Sequence, residues 1–134
     1  MTDPLEKETP MPDPAVDKVV IMATHGPEDK ERATLPFVMA TAAQLMECEC
    51  VVILQGTGVL LAQKGVYDHI FAGGLTPLKD LFATFMEAGG KLLVCTPCIQ
   101  ERQLEQSMLV EGAELIAGAR VIQEVTTSAA VLNY

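Results

Sequence analysis

Short, continuous β-branched apolar runs, separated by stretches of helical periodicity, leave this chain few folds. Val19-Val20-Ile21-Met22-Ala23 carries no polar residue on either face, as a strand covered on both sides of a parallel sheet requires. Leu35, Val38, Met39, Ala42, Leu45 and Met46 then recur at steps of three and four, one face of a helix that begins between Asp29 and Leu35. Pro36 fits that helix only in its first turn. Cys50-Val51-Val52-Ile53-Leu54 is a second buried strand, broken by Gly56 and Gly58, and residues 59–67 read as a short helix.

Thr76-Pro77 has the form of a helix start, a threonine cap followed by proline at the first helical position. Leu78, Leu81, Phe82, Phe85 and Met86 supply its buried stripe and Gly89-Gly90 its end. Lys91–Val94 opens a third strand that runs into Cys95-Thr96-Pro97-Cys98. A short helix over 100–108, a strand at 114–117, helical spacing through Val121, Ile122 and Val125, and a last strand at 131–134 complete the pattern. Strands alternating with helices predict an α/β domain over residues 18–134: three layers, with a five-stranded, mainly parallel sheet and helices on both faces.

A chain of 134 residues that is 49% hydrophobic has ample material for one such core. Residues 1–17 stand apart, with four of the eight prolines and five acidic residues against one lysine, and read as a disordered acidic tail. Nine Lys and Arg against eighteen Asp and Glu, a net charge of -9, argue against a nucleic-acid or anionic membrane surface, because both bind through clustered basic side chains. Apolar stretches fall far short of the roughly 20 residues that cross a bilayer. Four cysteines without a leader-like segment indicate a reducing, cytoplasmic setting in which thiols are ligands, catalysts or packing residues.

In open parallel sheets the ligand site lies beyond the carboxyl ends of the strands. Three loops open there: His25-Gly26-Pro27, Gln55-Gly56-Thr57-Gly58 and Cys95–Cys98. Only the last holds a nucleophile. Cys95 at the strand end and Cys98 at the helix start face unpaired helical N–H groups, which lowers a thiol pKa. Arg102, one helical turn beyond Cys98, is placed to hold an anion or a thiolate. His25 is a candidate to orient a substrate, and Gly56 and Gly58 to approach one closely. Gly56-x-Gly58 lacks the third glycine of a dinucleotide fingerprint, where Leu61 stands, so a turn is the better reading. Cys48 and Cys50 lie at the start of a strand, the opposite end of a parallel sheet from Cys95 and Cys98. No metal site is therefore expected, and the first pair reads as packing residues.

Leu92-Leu93-Val94-Cys95-Thr96-Pro97-Cys98-Ile99-Gln100-Glu101-Arg102 and the later Leu109–Gly118 resemble the DsrE/DsrF/TusD-like (YchN-like) family over nearly all of residues 18–134. The resemblance implies a five-stranded parallel α/β fold, trimers or hexamers, and carriers that accept sulfane sulfur on a cysteine as a persulfide. In that family the active cysteine ends a strand and is followed seven residues later by arginine; Cys95 and Arg102 match. Cys98 matches the second cysteine of the Cys-x-Pro-Cys found in many relatives. Where relatives commonly have glycine after the arginine, this chain has Gln103.

The expectation is a sulfur carrier or sulfurtransferase in which Cys95 or Cys98 attacks the outer sulfur of a donor persulfide and a protein partner receives it. If both cysteines take part, one bears the persulfide and the other resolves it as a disulfide, releasing sulfide. This chemistry requires no organic cofactor. The alternatives are a thiol-disulfide oxidoreductase using Cys-x-Pro-Cys and a non-catalytic assembly subunit. Apolar surface on residues 59–61 and 121–129 points to a homo-oligomer.

Overall fold

All strand pairs in the sheet are parallel, and the order in which they lie decides where the loops converge. The computed structural model describes residues 16–134. The tail expected over residues 1–17 falls outside them, except for Val16 and Asp17, which precede the first strand. The elements are β1 (Lys18–Ala23), α1 (Lys30–Leu45), β2 (Glu49–Leu54), α2 (Leu78–Glu87), β3 (Lys91–Cys95), α3 (Thr96–Glu101), β4 (Ala113–Ile116), α4 (Gly118–Thr126) and β5 (Ala130–Asn133). Single turns of 3-10 helix occupy Tyr67–His69 and Gln106–Met108, and a longer 3-10 segment occupies Gly56–Ala62. The strand order is β4-β3-β2-β1-β5. The chain thus steps outward from β1 to β4, then crosses back through α4 to set β5 beside β1.

That reversal makes the three layers, because right-handed crossovers put the helices of the outward run on one face and α4 on the other. On the first face Ile21, Val52, Leu54, Leu92 and Val94 pack against α1 and α2. Phe37 of α1 meets Phe85 of α2 edge-on, with ring centroids 5.6 Å apart. On the second face Val121 and Val125 of α4 cover Val20, Val51, Ile53, Leu93 and Ile116. Strands whose side chains are buried on both faces read as unbroken apolar runs, which is why β1 to β3 stood out in the sequence. Among the described residues no helix is long and apolar enough to cross a membrane.

Several local expectations are corrected. Pro36 is the seventh residue of α1, beyond the first turn; it is buried, and that burial offsets the lost helical hydrogen bond to the carbonyl of exposed Arg32. Asp29 caps α1 by accepting the Arg32 N–H at 3.0 Å. Thr76 makes no cap: Pro77 is itself the N-cap, its carbonyl accepting from the Asp80 N–H at 3.0 Å. Residues 59–67 form the end of one 3-10 segment and an irregular turn rather than a helix. The helix expected at 100–108 begins earlier, at Thr96, and ends at Glu101. On α4, Ile122 faces outward at 61% exposure while Glu124 is buried, drawn in by Lys18 of β1, whose Nζ donates to Oε1 at 2.9 Å. Val59 and Leu61 are fully buried within the chain and offer no surface for association.

Candidate functional site

The exits of β1, β2 and β3 bring the three expected loops together, and glycine makes the approach possible. A Cβ on Gly58 would lie 2.4 Å from the Ala23 carbonyl oxygen, and one on Gly26 would lie 2.3 Å from that of Thr57. Both separations are too short for any side chain, so the β1 and β2 loops touch through bare backbone. Gly56 has φ +57°, a left-handed conformation that glycine adopts without strain.

A carboxylate ties these two loops. Glu28 Oε2 accepts the Thr57 hydroxyl at 2.6 Å, and Oε1 accepts the Gly26 N–H at 3.0 Å. Burial raises the Glu28 carboxyl, but these donors and the nearby His25 outweigh it and hold it below the ordinary carboxylate value. Neither Glu28 nor Thr57 carries a sequence signal that separates it from an ordinary loop residue. The His25 ring lies beside the Thr24 hydroxyl, 3.3 Å from Nδ1 to Oγ1. It stands close enough to Glu28 for its charge to act on that carboxylate.

The thiols lie at the next strand exit. Cys95 is the N-cap of α3 and Cys98 its third residue, and both are half-buried. The Gly56 N–H donates to Cys98 Sγ at 3.3 Å. Arg102 closes α3, and its Nη1 donates to the Cys98 carbonyl at 3.1 Å. The guanidinium is therefore held beside the pair, as its position one turn beyond Cys98 suggested.

The electrostatics reverse one expectation. Burial pushes the Cys95 thiol above its ordinary value, and the neighbouring Cys98 side chain pushes the same way. The Cys98 amide and the Arg102 charge pull it down without overcoming them.

The departure at Gln103 has a structural counterpart. Its φ is +57°, and it stands one residue past the cap of α3. There its N–H donates to the Gln100 carbonyl and the Leu104 N–H to that of Ile99, closing the helix in a Schellman motif. Glycine is the residue best suited to this position, and here a side chain occupies it under strain.

The other cysteines lie at the far end of the sheet. Cys50 is buried on the first face, where desolvation pushes its thiol up to about 12. Cys48 precedes β2 rather than lying on it, and lines a shallow apolar groove with Val19, Met39 and Leu132. Among the described residues no three His, Cys, Asp or Glu side chains gather in a metal-binding group. A cavity of about 410 Å³ between α1 and α2, lined by Thr41, Gln44, Asp80 and Thr84, is remote from the thiol pair.

Comparison with known proteins agrees with this architecture. The chain is similar to the uncharacterized protein MJ0760 of Methanocaldococcus jannaschii, 33% identical over 104 residues, which cover 78% of this chain and 38% of that one. It thus spans well under half the length of that relative. The uncharacterized protein MJ0989 of the same organism is 31% identical over 117 residues, covering 87% of this chain and 99% of its own. Among solved structures, the ychN protein from E. coli superposes with a TM-score of 0.75 at 18% identity, over 89% of this chain and 100% of that one. This last likeness is one of fold. The DsrE/DsrF-like family is matched over residues 17–134, which take in all five strands and both thiols of the site, and the chain belongs to that family.

Proposed function

We propose that the protein is a sulfur carrier in which the Cys95/Cys98 pair accepts the outer sulfur of a persulfide and passes it to a protein partner. Family membership supports a sulfur-relay function in general. The observation that carries the reading for this chain is the pair itself: two half-buried thiols at the carboxyl end of a parallel sheet, with a main-chain N–H on one sulfur and an arginine held beside them. In the transfer, a thiolate attacks the outer sulfur of a donor RSSH. The donor S–S bond breaks, RS⁻ leaves with the electron pair, and a cysteine persulfide remains. A cytoplasmic setting and a homotrimeric or homohexameric assembly belong to the same proposal.

Incubation with polysulfide followed by intact-mass measurement tests it. The expected result is added sulfur on the wild type and none at these positions in a Cys95→Ala, Cys98→Ala double variant. Absence of sulfur on the wild type, or equal loading of the double variant, overturns it.

The Cys-x-Pro-Cys spacing, with both thiols free and half-buried at one strand exit, favours a second reading, a dithiol-disulfide oxidoreductase. Rapid catalytic reduction of insulin, sustained by a dithiol, would support that reading over sulfur carriage.

A further inference from the structure

We infer that Cys98 is the thiolate that takes up sulfur, and that Glu28 and Thr57 are positioning residues that hold the Gly56 amide on its sulfur. The inference deepens the sulfur-carrier reading and its second half rests on that reading. Family correspondence points to Cys95 as the reactive position; the geometry points three residues further on.

An N–H aimed at a sulfur stabilises the anion more than the thiol, because the anion is the stronger acceptor. Gly56 supplies that N–H to Cys98 at 3.3 Å, from a strand exit 42 residues away in sequence. Among the described residues Cys95 has no main-chain donor from another loop; the amide that favours its anion is that of Cys98, in its own turn of α3. The Gly56 amide therefore sets Cys98 apart as the sulfur that a second loop serves.

The amide can act only if its loop is fixed. Gly56 has a left-handed φ and no side chain to anchor it. Its neighbour Thr57 is held twice, by a 2.6 Å hydrogen bond to Glu28 Oε2 and one of 3.3 Å to the Thr24 carbonyl. Glu28 is itself fixed by the Gly26 N–H at 3.0 and 3.2 Å. The chain of contacts Gly26–Glu28–Thr57–Gly56–Cys98 links three loops and ends at the sulfur.

The titratable and charged groups around Cys98 are Cys95 at the end of β3, Arg102 on α3, and Glu28 and His25 beyond Thr57 on the β1 loop. This arrangement lets two variants be told apart by sign. Glu28→Gln both loosens the loop, which raises the Cys98 midpoint, and removes a negative charge, which lowers it. Thr57→Val keeps every charge and changes only the clamp, so it is the decisive variant.

The experiment is mass-mapped alkylation with iodoacetamide as a function of pH, with Cys48 at the far end of the sheet as internal reference. In the wild type Cys98 is expected to react before Cys95. Thr57→Val should raise the Cys98 midpoint by about one pH unit, a roughly tenfold loss of rate below it, while Cys48 is unmoved and Thr57→Ser restores the wild-type profile. Cys95 reacting first, or a Cys98 midpoint unchanged in Thr57→Val, overturns the assignment. Thermal melts of both variants separate loop loosening from loss of the fold. Polysulfide loading of single variants reads the second half: Cys95→Ser should retain sulfur and Cys98→Ser lose it. Sulfur mapped to Cys95 and retained in Cys98→Ser overturns the inference while sulfur carriage stands. No sulfur on a wild type whose thiols alkylate normally overturns sulfur carriage and its assignment to Cys98 together, and leaves the thiolate assignment to the alkylation result.

Discussion

The Gly56 amide and the Cys98 sulfur, 3.3 Å apart, meet across the exits of β2 and β3. The contact depends on register: Leu54 pairs with Val94, so the residues that follow each strand emerge at the same height. A side chain or a shift of one residue in either loop would separate them. The stability of the loop junction is therefore part of the chemistry of the thiol.

Gly58→Ala should destabilise the protein by about 1–3 kcal/mol, because the new methyl group meets the Ala23 carbonyl at 2.4 Å and backbone must move to admit it. Urea denaturation measures the loss. Gly118→Ala is the control: nothing lies within 4 Å of its Cβ and its φ is not positive, so the change should stay within about 0.5 kcal/mol. Equal stability of the two variants would contradict the close approach of β1 and β2 loops.

Gln103→Gly should stabilise the protein by about 0.5–1 kcal/mol. A side chain at φ +57° costs about 1–2 kcal/mol, of which the greater unfolded-state freedom of glycine returns part. A raised melting temperature is the expected readout, and a lowered one would show that the Gln103 side chain contributes more than its backbone costs.

Glu124→Gln should cost about 1–3 kcal/mol near neutral pH, since the carboxylate accepts from Lys18 Nζ at 2.9 Å and from Arg120 Nε at 2.7 Å. Burial raises this carboxyl, but the two cations outweigh it and the group titrates below its ordinary 4.5. A folded-state value below the unfolded one means that the contribution is complete above 4.5 and is lost as pH falls through the folded value. The gap in stability between wild type and variant should therefore close on acidification, and a gap that widens would reverse the assignment.

Cys50 should resist iodoacetamide at neutral pH in the folded protein and react fully in denaturant. Desolvation on the first face of the sheet pushes its thiol up to about 12 and keeps it protonated at neutral pH. Time-resolved mass mapping checks this. Alkylation of Cys50 at the rate of an exposed thiol would mean that β2 opens locally.

The layered fold was legible because β-branched runs buried on both faces leave an unbroken apolar signal in β1, β2 and β3. The placement of Cys95 and Cys98 at a strand exit followed from the same runs. What escaped was set by tertiary contact. Pro36 is tolerated beyond the first turn because its ring is buried, and Glu124 turns inward because Lys18 waits there; neither partner is near in sequence. The short 3-10 segments have no period long enough to read. Glu28 and Thr57 are ordinary loop residues until the register of β1 and β2 brings them within 2.6 Å. At Cys95 burial and a second sulfur, both products of packing, oppose the helix end.

The return of the chain through α4 has a consequence for how the molecule is made. β1 is an interior strand, yet one of its two partners is β5, whose Val131 pairs with Val20 from 111 residues away. Until residues 130–133 leave the ribosome, β1 presents an unpaired edge on a sheet whose other members can already assemble. Its Val20, with no exposed surface in the folded protein, stands on that edge until β5 is made. Closure by β5 is thus a late, long-range step, and it is the interval before it, rather than the finished fold, that leaves this chain open to pairing with the wrong strand.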